Sequence, residues 1–264
     1  MSVLLDVCYL VLLTLLSPAI LWSAWRHGKY RQGLRQKLLG SLPARAGDEP
    51  CVWLHAVSVG EVNLVATVLS KLEQDRPDVK CVVTTTTRTG YELALKKYER
   101  HTVAYCPLDF SWAVRRALRS VRPNVLLLTE LELWPNLIRE ARRTGVKVGV
   151  INGRLSQNSH AGYRRIRWLM KPLLSQLAWI SVQTAEYANR FADLGLPREK
   201  AIVAGSLKFD GAEVDRENPR SLALKSLAAI AEGDRVFLAG STQHPEEEYA
   251  LAAFERLSEA SPQL

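Results

Sequence analysis

Seven short apolar runs separated by amphipathic stretches constrain this chain more than any other feature. The runs lie at 51–57, 80–86, 102–105, 124–129, 146–151, 179–182 and 201–204. Between them come helix-like patterns such as 62–72, 112–118 and 137–143, whose apolar positions recur three or four residues apart. A run such as "NVLLL", apolar at every position, suits a strand covered on both faces, which is the situation of a parallel sheet. Strands alternating with helices imply a doubly wound α/β domain over 51–207, with ligands bound beyond the carboxyl ends of the strands.

The 264 residues have room for one large domain or about two small ones. Hydrophobic residues make up 47% and charged residues 23%, which excludes a disordered chain and provides for a sizeable core. The cysteines (Cys8, Cys51, Cys81, Cys106) stand far apart with no CxxC or Cys-His spacing, so reduced thiols fit better than a disulfide framework or a zinc site. The net charge of +8 attracts an anionic surface, yet no Lys/Arg run approaches a nucleic-acid tail. The basic residues cluster instead at Arg26, Lys29, Arg31, Arg35 and Lys37, and again at Arg164, Arg165 and Arg167. A phospholipid headgroup, a phosphorylated glycolipid and a nucleic acid all satisfy charge alone.

The N-terminal segment narrows that choice. Residues 7–25 carry no charge, and about 19 residues is close to the length of a membrane-spanning helix. Pro18 is tolerated better in such a helix than in a soluble one. Trp22 and Trp25 stand at its end, where interfacial aromatics belong, and the basic cluster follows, which places the body on the cytoplasmic side. A cleaved signal peptide would carry its positive charge before the apolar run, whereas here Asp6 precedes it. A buried hydrophobic helix is the competing reading. The expected plan is a membrane anchor at 1–25, a basic juxtamembrane segment and spacer at 26–50, and the α/β domain at 51–207. A polar linker "KFDGAEVDRENP" follows at 208–219, and a further α/β segment opens at 220–264 with a strand "RVFLAG" and a helix near Pro245.

Chemistry concentrates at the ends of the apolar runs. In "HAVSVGE", Ser58 and Glu61 have the capping-box spacing, in which Ser58 caps the helix and Glu61 reaches back to the Ser58 backbone N–H. The same geometry serves catalysis: Gly60 lets a ligand approach, free N–H groups attract an anion, and a carboxylate there can deprotonate a hydroxyl. "TTTTRTGYE" (84–92) repeats the pattern with Gly90 before a helix, and by itself reads as a strand with a threonine-rich turn. In "TELELWPNL" (129–137), Glu130 and Glu132 face the same way if the chain stays extended, and two like carboxylates need something between them. "INGRLS" (151–156) places Asn152 and Arg154 past another strand. These clusters converge on one edge of a parallel sheet.

The succession "HAVSVGE", "TTTTRTG", "YCPLDF", "ELELWPNL", "NGRLS", "GSLKFD" and "GST" closely resembles the lipid A Kdo (3-deoxy-D-manno-octulosonic acid) transferases, from the N-terminal segment to the end of the chain. The resemblance implies a GT-B-like fold, with a complete N-terminal Rossmann-like domain and a second one only begun. It implies a membrane-anchored, inverting glycosyltransferase that moves Kdo from CMP-Kdo onto a lipid A precursor, without a metal or other cofactor, on the cytoplasmic face of the bacterial inner membrane. It assigns the general base to Glu61 and acceptor binding to Ser58, Gly60, Glu130, Glu132, Asn152 and Arg154. Donor binding falls to Lys208, in the domain hinge, and to Ser241 and Thr242, beside the phosphate. The family's "STH" reads "STQH" here, which leaves His244 without a role. Family members continue through most of a second domain carrying the main CMP contacts, so the expectation is a fragment or a truncated form. The alternatives are a non-catalytic homologue that holds membrane or lipid A precursor, and a soluble nucleotide-sugar epimerase of similar architecture.

Overall fold

The computed structural model describes residues 2–27, 32–210, 213–231 and 233–260. Lys29 and Arg31 of the first basic cluster, and residues 211–212 of the linker, lie outside the described residues. Helix α1 (Ser2–His27) and the short α2 (Leu34–Leu39) precede the sheet. The alternation then runs β1 (Cys51–His55), α3 (Val59–Asp75), β2 (Lys80–Thr85), α4 (Arg88–Lys97), β3 (Thr102–Tyr105), α5 (Ser111–Val121), β4 (Val125–Thr129) and α6 (Pro135–Arg143). It continues with β5 (Lys147–Gly153), α7 (Gln157–Arg165), α8 (Arg167–Leu174), β6 (Trp179–Val182), α9 (Ala185–Asp193) and β7 (Ala201–Val203).

The seven strands form one sheet in the order β3-β2-β1-β4-β5-β6-β7, and every neighbouring pair is parallel. This is the doubly wound, Rossmann-like arrangement expected from the alternation, with the order reversing between β1 and β4. β4 shows why its run is apolar throughout: Leu126 and Leu128 join the core on one face, with Trp53, Val148 and Val150, while Leu127 joins the core on the other, with Leu54, Val62, Val65 and Val83. Both faces are covered, so period-two alternation has no solvent face to mark.

Contacts divide the chain into two units, Met1–Asp210 and Gly211–Leu264. In the second, α10 (Pro219–Leu227) and α11 (Glu246–Ala260) form, the latter beside Pro245 as expected. The segment "RVFLAG" (235–240) is not a strand. Among the described residues its apolar run has no partner strand to take its N–H and C=O groups, and Val236 and Leu238 stay exposed.

Helix α1 carries the apolar N-terminal run. Its most apolar window has a mean hydropathy of 2.2, and 6% of that window is buried, so the buried-helix reading does not hold. Trp22 and Trp25 are exposed. Asp6 is not a solvated flank of the run: it is buried against the α/β unit.

Candidate active site

The site grows from the carboxyl end of β1 at the point where the strand order reverses. β1 stops at His55, two residues short of the apolar run, and Val57 turns the chain toward α3. Both polar groups of Val57 are held. Its carbonyl accepts from the hydroxyls of Thr85 (3.1 Å) and Thr87 (3.2 Å), and its N–H donates to Glu61 Oε2 at 2.9 Å. The carboxylate of Glu61, in the first turn of α3, thus reaches back one residue beyond the capping-box position, to Val57 rather than Ser58.

That shift alters the role of Ser58. It is the N-cap residue, but its side chain makes no hydrogen bond to the helix backbone; its hydroxyl lies 3.3 Å from Glu61 Oε1 and donates to it. A capping role for Ser58 is therefore corrected: its hydroxyl turns toward the Glu61 carboxylate, and its oxygen accepts from no helix N–H. The start of α3 has no side-chain cap, which keeps its N–H groups available to an anion. A Cβ at Gly60 would meet nothing closer than Ser58 Oγ at 3.9 Å, so the protein's own packing does not demand glycine there.

Glu61 is only 8% exposed. Its second wall is Thr129, the last residue of β4, whose hydroxyl contacts Glu61 Oε2 and lies 3.0 Å from the His55 carbonyl. Thr129 escaped the sequence reading because it closes an apolar strand, where a threonine passes as a β-former. The signal was its place beside β1 in the sheet, which only the strand order reveals.

After Thr129 the chain does not stay extended. Glu130 adopts φ 53°, a left-handed backbone uncommon outside glycine, and Glu132 N–H returns to the Thr129 carbonyl at 3.2 Å. The expectation that Glu130 and Glu132 share a face through extended geometry is thus corrected, although the tight turn keeps Glu132 within electrostatic reach of both Glu61 and Glu130. Burial first, and then the charges of Glu61 and Glu130, push the Glu132 carboxyl above the usual carboxylate range.

Asn152 is the second left-handed residue at this edge, with φ 55°. β5 runs on to Gly153 through a register shift between Val150 and Gly153, which explains why the strand outlasts its apolar run and re-aims Asn152. The Asn152 side chain is buried. Its Oδ1 accepts from Gln183 Nε2 (3.1 Å) and from the Leu207 N–H (3.2 Å), while Nδ2 has no hydrogen-bond partner. Asn152 thus joins the segment before Lys208 to the sheet edge, and Gln183, another residue not singled out from sequence, shares its Oδ1. Arg154 and Lys208 are exposed. Ser241, at φ 59°, and Thr242 belong to the second unit.

The threonine run serves the scaffold. Thr84 accepts from Trp53 Nε1 at 2.8 Å and faces Nδ1 of His55. Full burial drives the His55 imidazole down to a pKa of about 4, so it is neutral at pH 7. Gly90 lies inside α4 rather than ahead of it, where a Cβ would come within 2.6 Å of Thr85 Oγ1 and 2.8 Å of Thr87 Oγ1. A cavity of about 600 Å³ lies not over Glu61 but between α2 and α4, lined by Arg35, Tyr91 and Tyr105 among others.

A family model described as 3-deoxy-D-manno-octulosonic-acid transferase (kdotransferase) matches residues 29–211. A 3-deoxy-D-manno-octulosonic acid transferase of Chlamydia muridarum is 32% identical over 233 residues, covering 88% of this chain and 54% of that protein. The transferase of the same description from Haemophilus influenzae is 29% identical over 259 residues, 97% of this chain and 58% of its own length. A bifunctional glycosyltransferase/methyltransferase of Fusobacterium nucleatum is 35% identical, covering 80% of this chain and 33% of its own. The chain thus spans about half the length of the Chlamydia and Haemophilus relatives. Among solved structures, UDP-GlcNAc 2-epimerase from Neisseria meningitidis superposes with a TM-score of 0.57 at 18% identity, over 81% of this chain and 63% of that one, which is a likeness of fold. On the family match and these relatives, the chain belongs to the Kdo transferase family.

Proposed function

We propose that this chain is the acceptor-binding portion of an inverting glycosyltransferase that moves Kdo from CMP-Kdo to a lipid IVA-type lipid A precursor in lipopolysaccharide core assembly. The observation that supports it most is Glu61: a buried carboxylate at the strand-order reversal, oriented by Val57, Ser58 and Thr129, beside an uncapped helix start. Glu61 takes the proton of the acceptor sugar hydroxyl. The freed oxygen bonds to the anomeric carbon of Kdo from the face opposite the leaving group, and the bond from that carbon to the CMP phosphate oxygen breaks. CMP departs with the electron pair, so no metal ion is required to generate a nucleophile. A positioned general base contributes roughly 10²- to 10⁴-fold to such a step.

Glu130 and Glu132 shape the acceptor pocket, where their carboxyl oxygens accept from the hydroxyls of a sugar. Gly60 and the free N–H groups of α3 receive an anionic group of the substrate, with Asn152 Nδ2 and Arg154 further along the same sheet edge. Lys208, Ser241 and Thr242 meet the donor's carboxylate and phosphate. Helix α1 and the basic residues after it attach the protein to the anionic cytoplasmic face of the bacterial inner membrane.

Full-length protein incubated with CMP-Kdo and a tetra-acylated, bisphosphorylated disaccharide lipid tests this reading. It predicts acceptor-dependent CMP release and a lipid product heavier by one Kdo. Acceptor binding without transfer by the full-length form would contradict it and favour the non-catalytic homologue.

A further inference from the structure

Helix α1 is held to the α/β unit near both of its ends. Near its start, Asp6 accepts from the Ser111 N–H at 2.8 Å, from the Ser111 hydroxyl, and from Asn136 Nδ2 at 3.2 Å. Tyr9 donates to Asp109 Oδ2 at 3.0 Å and sets its ring edge-on to Phe110. Asp109 in turn receives the N–H groups of Asn136 and Leu137, so two carboxylates, one from α1, close the starts of α5 and α6. Just past its end, Gln32 accepts from the Tyr105 hydroxyl at 2.8 Å, Gln36 accepts from the Tyr105 N–H at 2.8 Å, and the Lys37 carbonyl accepts from the Leu108 N–H at 2.7 Å.

These contacts conflict with a helix that crosses the bilayer. From Asp6 to Arg26 the helix is about 30 Å long, which matches the hydrocarbon thickness. If the body lay at the C-terminal end of a spanning helix, Asp6 would stand a full membrane away from Ser111 and Asn136. If the body lay at the N-terminal end, the chain would have to return across the bilayer between His27 and Gln32. Those five steps reach at most about 18 Å. Neither orientation keeps both sets of contacts.

The surface left over is nevertheless made for hydrocarbon. Val3, Leu4, Leu15, Leu21, Trp22 and Trp25 are all more than half exposed. The hydroxyls of Thr14 and Ser17 return to the helix's own carbonyls, of Leu10 at 2.8 Å and Thr14 at 2.7 Å, so neither needs water. Leu5, Tyr9, Leu13 and Ile20, spaced at helical intervals, are the less exposed stripe. With its side chains a helix is about 10 Å across, which fits within one leaflet.

We propose that α1 lies within a single leaflet of the membrane, with its N-terminus on the same side as the α/β body, and that acyl chains of that leaflet cover its exposed faces. This deepens the reading of α1 as the membrane attachment by giving its depth and topology, and it stands or falls independently of turnover. The test is a Ser2→Cys, Cys8→Ser protein expressed in a Gram-negative host and treated with a membrane-impermeant maleimide. Protection in intact spheroplasts, with labelling once the membrane is permeabilised, is the expected result; labelling in intact spheroplasts overturns the proposal. The same protein mixed with phosphatidylethanolamine–phosphatidylglycerol vesicles floats with them on a density gradient. Recovery at the bottom as a dimer would mean that a second copy covers α1, and would overturn the lipid assignment.

Discussion

Two strand-to-helix turns lie side by side in the sheet, and they use similar residues to opposite ends. After β2, Thr87 accepts from the Gly90 N–H at 3.1 Å and closes the start of α4. After β1, Ser58 stands at the corresponding cap position but gives its hydroxyl to Glu61, leaving the start of α3 without a side-chain cap. The first turn is finished as structure. The second leaves free N–H groups, a buried carboxylate and an unobstructed glycine at the strand-order reversal, where doubly wound sheets bind their ligands. An incomplete cap next to a fully oriented acid separates a site from a scaffold.

Exchanging the two roles breaks the comparison most severely at Glu61. Glu61→Gln in the full-length protein should lower turnover by about 10² or more while the unfolding midpoint stays near that of the parent, since Gln still accepts from the Val57 N–H. Thr129→Val comes next. It removes the hydroxyl between Glu61 and the His55 carbonyl, so kcat should drop roughly 10- to 100-fold through misplacement of the carboxylate, with Thr129→Ser restoring most of it. Steady-state kinetics that show the loss in KM for CMP-Kdo instead would place Thr129 elsewhere in the cycle.

On the scaffold side the effects are smaller and fall on stability. Thr87→Ala loses a working cap and costs about 1 kcal/mol in denaturant unfolding, while kcat changes little because Thr85 still donates to the Val57 carbonyl in the Glu61 turn. Ser58→Ala should cost well under the ~1 kcal/mol of a true cap, because no helix N–H loses a partner, and should show instead a modest fall in turnover. A full cap-sized loss at Ser58 would restore the simpler capping-box description.

The sheet itself was open to reading because parallel strands buried on two faces are apolar throughout, and β3 and β6 match their runs to the residue. What escaped depended on neighbours distant in sequence. Thr129 acquires its role from the pairing of β4 with β1, and Gln183 from the side chain it shares with Leu207. The local rules that failed did so where backbone leaves its regular region. Glu130 turns left-handed instead of continuing the strand, and Asn152 stands in a register shift. Strained backbone of this kind gathers at working sites. "RVFLAG" failed for the opposite reason: an apolar run becomes a strand only where another strand receives it.

The most direct test sets Glu61→Gln and Thr87→Ala side by side, with acceptor-dependent CMP release and the thermal midpoint measured on the same samples. Glu61→Gln should keep its midpoint and lose release, while Thr87→Ala should keep release and lose midpoint. Release by Glu61→Gln within a few-fold of the parent would contradict the assignment of Glu61 as the base.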